Sequence, residues 1–155
     1  MYSIVLTLHS LVRWIIVILA VAAVVRAFIG WLGRQAWTPL DDRLGMWYTI
    51  SMDVQLLFGL VLYIFLSPIT QAAFRDFGAA MSNPALRFFA VEHILTMVVA
   101  VVLAHVGRVL SRKATDAQAR HRRAAILYGL ATLAILVAVP WPFMAGVGRP
   151  WVRLG

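Results

Sequence analysis

Two histidines and an arginine lie inside stretches of sequence that are as apolar as a membrane span. His9 and Arg13 occur four residues apart in "LTLHSLVRWIIVILA" (residues 6–20), and His93 follows the start of a later apolar run by seven residues. Hydrocarbon solvates neither imidazole nor guanidinium, so ionisable residues at such positions are functional or are paired with other polar groups. Imidazoles that face each other across a helical bundle are a suitable pair of axial ligands for haem iron.

The two histidines are expected at the same depth. His9 lies seven residues after Tyr2, and His93 lies seven residues after Leu86. Both apolar runs cross in the same direction, and a helix rises about 1.5 Å per residue, so the two rings share one level. We predict a haem b between helices 1 and 3, with His9 and His93 as iron ligands. The alternative is that each histidine makes only an interhelical hydrogen bond.

Arg13 lies one helical turn beyond His9 on the same face. Two partners are consistent with its depth: Asp53, in a structural ion pair, or a haem propionate or quinone oxygen, which a guanidinium binds well. Gln55 belongs to a stripe with Gly59 and Tyr63 on the second apolar run, where the glycine admits a flat ring or a neighbouring helix.

Three further polar residues leave alternatives open. Glu92 is predicted to orient His9 or His93, to take part in proton transfer to a quinone, or to pair with Arg87. His105 lies twelve residues beyond His93 and is turned away from its face, which favours an interfacial residue without a cofactor. His121 lies in a basic loop and is predicted to be solvated.

The composition indicates which elements position these residues. The chain has 155 residues, of which 63% are hydrophobic and 13% charged, and its mean hydropathy is +0.87. Four stretches are long enough to cross a bilayer, at about 2–28, 44–66, 86–110 and 124–142. We therefore predict an all-α, four-helix transmembrane bundle that forms a single membrane domain over residues 1–155. The absence of cysteine excludes disulfides, thiolate metal sites and c-type haem attachment.

The distribution of charge predicts the orientation. Most Lys and Arg residues lie between spans 1 and 2 or in "RVLSRKATDAQARHRR", between spans 3 and 4. The positive-inside rule then places both termini on the periplasmic side of a bacterial inner membrane. Topology and anionic lipid headgroups explain the net charge of +8, so nucleic acid is not an expected partner.

Four motifs resemble a known family. "LHSLVRW", "QLLFGLVLYIFLSP", "LRFFAVEH" and "VPWPF" are similar to small bacterial four-helix membrane proteins labelled cytochrome b-like, with a general likeness to cytochrome b561-type bundles. The resemblance covers most of the chain and implies a haem b and a role in membrane electron transfer. The cofactor-binding residues that it implies here are His9, Arg13, Gln55, Glu92 and His93. One departure is Asp53, where the family pattern often has histidine.

These observations predict a haem-bearing subunit of a respiratory or photosynthetic electron-transfer complex, with other membrane subunits as partners and quinol as an electron donor. The first alternative is a cofactor-free structural or assembly subunit, and the second is a small transporter or metal-handling protein. A self-sufficient enzyme is not expected, because the chain has no nucleotide-binding, nucleophile-elbow or metal-hydrolase motif.

Overall fold

The computed structural model describes residues 1–153, and every regular element in that range is a helix. The helices are α1 (Tyr2–Leu32), α2 (Pro39–Val61), α3 (Pro68–Arg75), α4 (Phe77–Ser82), α5 (Pro84–Arg87), α6 (His93–Lys113) and α7 (Ala117–Ala138). A π-helical turn, Leu62–Leu66, continues α2, and a second one, Phe88–Glu92, joins α5 to α6. Four continuous helical segments are long and apolar enough to cross a membrane, which confirms the predicted all-α bundle.

The four helical segments that are long and apolar enough to span a membrane are longer than the predicted apolar stretches. They run over Tyr2–Leu32, Pro39–Leu66, Pro84–Lys113 and Ala117–Ala138. Two of the helices begin before the apolar stretches at 44 and 124, because polar residues form their first turns. The amide and hydroxyl of Thr38 donate to the Asp41 carboxylate, and the Asp116 carboxylate accepts from the Ala119 amide. Hydropathy does not detect such capped first turns, although they stabilise the helix ends.

The four long helices form a square arrangement. α1 packs against α2 and α7, and α6 packs against the same two helices, so α1 and α6 lie at opposite corners. Side chains from α1 and α6 therefore meet only across the interior of the bundle. This arrangement positions the residues of the first and third spans face to face.

Small residues allow close helix packing at the end of the bundle that carries the basic loops. A Cβ at Gly107 of α6 would lie 2.9 Å from the Cβ of Leu127 on α7, and a Cβ at Gly30 of α1 would overlap the His121 ring. In membranes such close approach replaces the hydrophobic effect as a source of helix association. The buried alanines here include Ala20, Ala23, Ala27, Ala100, Ala104, Ala124 and Ala131.

His121 belongs to this packed end, and the prediction that it is solvated was wrong. Its side chain is fully buried near the start of α7, where its ring centroid lies 4.8 Å from that of Trp37. Gly30 leaves the space that the ring occupies. The loop between α6 and α7 thus ends before His121, which belongs to α7. The imidazole packs between α7 and α1.

The opposite end of the bundle is more open. The amide of Ser67 donates to the carbonyl of Leu62, five residues earlier, at 2.8 Å. This i→i+5 hydrogen bond makes the last turn of the α2 segment wider than an α-helical turn. The Tyr63 hydroxyl donates to the Ala90 carbonyl at 2.7 Å and so joins the two π-helical turns. The short helices α3–α5 and residues 139–153 lie at this end, which contains a cavity between the long helices.

Candidate functional site

A cavity of about 170 Å³ lies between the four long helices at the end with the π-helical turns. Apolar side chains form most of its wall, including Leu56, Met97 and Ile135. Four of the five predicted site residues line it together: His9 and Arg13 from α1, Gln55 from α2, and His93 at the start of α6.

His93 is held in one orientation by the end of α7. Its Nδ1 atom lies 2.7 Å from the carbonyl oxygen of Ala138. A carbonyl can only accept, so Nδ1 carries the proton, and in the neutral ring Nε2 keeps a free lone pair. Histidines that bind metals use this arrangement, in which a second hydrogen bond fixes the tautomer and the ring orientation.

His9 is held by contacts with α2. A Cβ at Gly59 would lie only 3.4 Å from the His9 Cε1 atom, so the glycine gives the imidazole its place against α2. The amide of Gln55 donates to the backbone carbonyl of His9 at 3.0 Å. The Nδ1 atom of His9 is buried and has no hydrogen-bond partner among the described residues. This nitrogen lies on the edge of the ring that faces Gly59 of α2.

Arg13 contacts the C-terminal segment instead of Asp53. Its Nη2 atom donates to the Trp151 carbonyl at 2.5 Å, and the indole of Trp14 donates to the same oxygen at 2.8 Å. The predicted Arg13–Asp53 ion pair is not formed, because Asp53 lies on the outer side of α2 and pairs with His105 of α6. Arg13 is thus directed at the cavity and at residues 150–151.

Two arginines that follow the last span, Arg149 and Arg153, also line the cavity. The guanidinium of Arg149 lies 4.7 Å from the Phe89 ring centroid, and the backbone amide of Arg153 donates to Ser10. With Arg13 they bring three arginine residues to the lining of the cavity, and that described lining contains no aspartate or glutamate. A site with this charge favours an anionic ligand. The signal in the sequence was "GRPWVR", a basic and aromatic segment after the last span.

Comparisons with protein-family models, with curated proteins and with solved structures find no match to this chain. The geometry of the cavity is therefore the basis on which a function can be proposed.

Glu92 is separated from the other predicted site residues. It does not line the cavity, and its carboxylate accepts a hydrogen bond of 2.7 Å from Arg87 Nε. Both side chains of this pair are about half exposed. Of the three roles predicted for Glu92, the structure shows the pairing with Arg87.

The described lining of the cavity offers two imidazoles and no carboxylate side chain as metal donors. No group of three or more His, Asp or Glu side chains placed to hold a metal ion occurs among residues 1–153. The cavity instead offers two imidazoles, and a porphyrin supplies the four remaining nitrogen ligands of its iron. His9 and His93 would hold the iron of a haem, and the apolar wall and the arginines would face its ring and its propionates.

Proposed function

We propose that this chain is a membrane b-type cytochrome in which His9 and His93 are the axial ligands of one haem b. The observation that carries the proposal is that imidazoles from diagonally opposite helices line a single cavity. One of them has its tautomer fixed by a carbonyl, and the other has a buried nitrogen without a partner.

The other lining residues have defined roles in this proposal. Arg13, Arg149 and Arg153 would bind the propionates, because guanidinium pairs with carboxylate in a bidentate geometry. The Ala138 carbonyl makes the His93 ring a stronger ligand through its Nδ1–H hydrogen bond. A bound haem supplies one-electron redox chemistry, and the positive charge of Arg13 stabilises its reduced form.

The cellular setting is part of the same proposal. The Lys and Arg residues concentrate at the end opposite the cavity, and from the positive-inside rule we propose that the cavity and both termini face the periplasm across a bacterial inner membrane. A haem at that depth suits an electron-transfer subunit of a respiratory or photosynthetic complex. Quinol is the electron donor that we propose, because it reaches a membrane-embedded site from the bilayer.

The test is the visible spectrum of the full chain, expressed with added haem precursor and purified in mild detergent. We expect a reduced-minus-oxidised difference spectrum with a b-type α-band in the wild type. The band should be lost in His9→Ala and His93→Ala. The matched control is His105→Ala, which removes a histidine outside the cavity and should leave the spectrum unchanged.

Two outcomes would overturn the proposal. The first is a wild-type protein that elutes as a folded species but binds no haem; this favours the cofactor-free structural subunit. The second is a haem band that persists in both cavity variants, which would assign the ligands elsewhere.

A further inference from the structure

Both π-helical turns contribute residues to the cavity. Leu62 and Tyr63 come from the first turn, and Phe89 comes from the second, which leads directly into His93. The His93 amide donates to the carbonyl of Phe88, five residues earlier. A π-helical turn holds one residue more than an α-helical turn, so it rotates every later residue by about 100° relative to an uninterrupted α-helix. The second turn therefore determines the direction in which His93 points.

The Tyr63 hydroxyl contacts the middle of this second turn. It donates to the carbonyl of Ala90 at 2.7 Å, and Ala90 is buried. Ala90 lies three residues before His93 in the chain. Hydrogen bonds from side chains stabilise the association of neighbouring membrane helices. This one joins the end of the α2 segment to the turn that precedes His93.

Tyr63 is itself held by α3. Its ring packs edge-to-face against Phe74, with the ring centroids 5.3 Å apart. Its carbonyl accepts a hydrogen bond of 2.8 Å from the Thr70 hydroxyl. The Ser67 amide is used within the first π-helical turn, and Pro68 has no amide hydrogen, so a side-chain donor is needed here. The ring and the backbone of Tyr63 thus both have fixed positions, which fixes the position of the hydroxyl.

The His93 ring has contacts with the second turn and with the end of α7. The rings of Phe88 and Phe89 belong to this turn, and their centroids lie 5.8 and 6.2 Å from that of the imidazole. The Nδ1 atom of His93 donates to the Ala138 carbonyl at 2.7 Å. Because the turn determines the direction of the ring, the hydrogen bond to Ala138 depends on the turn that Tyr63 holds.

We propose that Tyr63 is a positioning residue for His93. Its hydroxyl holds the second π-helical turn in the geometry that directs the imidazole to the cavity and keeps its Nδ1–H on the Ala138 carbonyl. Tyr63 acts through the backbone at Ala90. The inference rests on the proposed function insofar as the positioned ring is an iron ligand.

The first test uses the full chain without haem. Tyr63→Phe removes the hydroxyl and keeps the ring that packs on Phe74. Nitrogen NMR of protein labelled at histidine, at mildly alkaline pH in detergent, distinguishes the two neutral tautomers, and His93→Gln identifies the His93 signals by their loss. We expect the wild-type ring to carry its proton on Nδ1. The population of the other tautomer should rise several-fold in Tyr63→Phe.

The second test uses the haem-loaded protein. A hydrogen bond from Nδ1–H makes a ligating imidazole more basic, which favours the ferric state. Tyr63→Phe weakens that bond and should therefore raise the midpoint potential. The matched control is Tyr48→Phe, which removes a hydroxyl from the same helical segment, one that lies 3.4 Å from the Thr132 hydroxyl at the packed end. The control should leave the His93 tautomer and the midpoint potential unchanged.

Elution volume and thermal unfolding show whether each variant is folded. Thr70→Val releases the Tyr63 carbonyl with a side chain of the same shape and should shift both readouts in the same direction, so it decides if Tyr63→Phe does not fold. Wild-type values in both variants would overturn the inference, even in a protein that binds haem. A colourless wild type in which Tyr63→Phe still changes the His93 tautomer would overturn the proposed function alone and support the positioning of this ring by Tyr63.

Discussion

The Nδ1 atom of His93 lies 2.7 Å from the carbonyl oxygen of Ala138, the last residue of α7. Carbonyls in the last turn of a helix have no partner within it and need another donor. The hydrogen bond satisfies such an acceptor and, at the same time, fixes the tautomer of an imidazole at the cavity wall. One hydrogen bond therefore both caps the end of α7 and orients His93, the proposed ligand on α6.

The first prediction concerns replacement of this ring by a free ligand. His93→Gly should lose the b-type spectrum of the purified protein, and added imidazole should restore it, because the vacated space keeps the Ala138 carbonyl as an acceptor for the imidazole N–H. The measurement is the α-band during a titration with imidazole. His105→Gly should show no loss and no response, and a His93→Gly spectrum that imidazole leaves unchanged would contradict this role.

The second prediction concerns the space between the His9 ring and Gly59 of α2. Gly59→Val should displace the imidazole, because its Cβ would already be in van der Waals contact with the ring, 3.4 Å from Cε1, and its two γ-methyl groups need further space. We expect haem occupancy to fall strongly and the free energy of unfolding to fall by about 1–3 kcal/mol, as in other overpacked cores. Absorbance and thermal unfolding in detergent measure the two effects.

The control for Gly59 is Gly129→Val on α7, where a Cβ would lie 4.0 Å from its nearest neighbour, the Phe28 ring. It introduces the same β-branched side chain into a span at a site with room for it. Equal losses of haem in the two variants would show that a valine in any span has this effect, and that Gly59 has no special relationship with His9.

The spans and the depth of each residue could be predicted because both depend only on position along the sequence. The four spans follow from hydropathy, and the presence of His9 and His93 at one cavity follows from their equal distances from the starts of their apolar runs. The side of a helix that a residue occupies is a different property. Arg13 and Asp53 have compatible depths, but they lie on faces that do not meet, so the predicted ion pair was wrong.

Contacts made by loops and by the segment after α7 could not be predicted from the sequence either. The burial of His121 depends on a missing side chain at Gly30, a residue ninety-one positions away. Arg149 and Arg153 reach the cavity because the segment after α7 folds back over the bundle end, where Arg13 and Ser10 bind its backbone. Neither periodicity nor hydropathy reports such a return of the chain.

The third prediction tests the packing of His121. Gly30→Ala should lower the free energy of unfolding by about 1–3 kcal/mol, because its methyl group would overlap the imidazole ring. His121→Ala opens the space, so the double variant should be more stable than the sum of the two single effects. Thermal unfolding of the four proteins gives the coupling energy.

Gly78→Ala, at an exposed site with room for a methyl group, should have little effect. Strict additivity of Gly30→Ala and His121→Ala would contradict the contact.

The fourth prediction concerns the charge of Arg13. A positive charge beside a haem stabilises the ferrous form, which carries one positive charge fewer than the ferric form. Arg13→Gln should therefore lower the midpoint potential, and a shift of about 59 mV corresponds to a tenfold change in the one-electron equilibrium. Spectroelectrochemical titration of the purified protein measures the midpoint potential.

The matched control is Arg75→Gln. It removes the same charge from the end of α3, at the same end of the bundle but outside the cavity lining. Equal shifts in both variants would assign the effect to net charge, whereas a larger shift in Arg13→Gln supports a guanidinium directed at the haem.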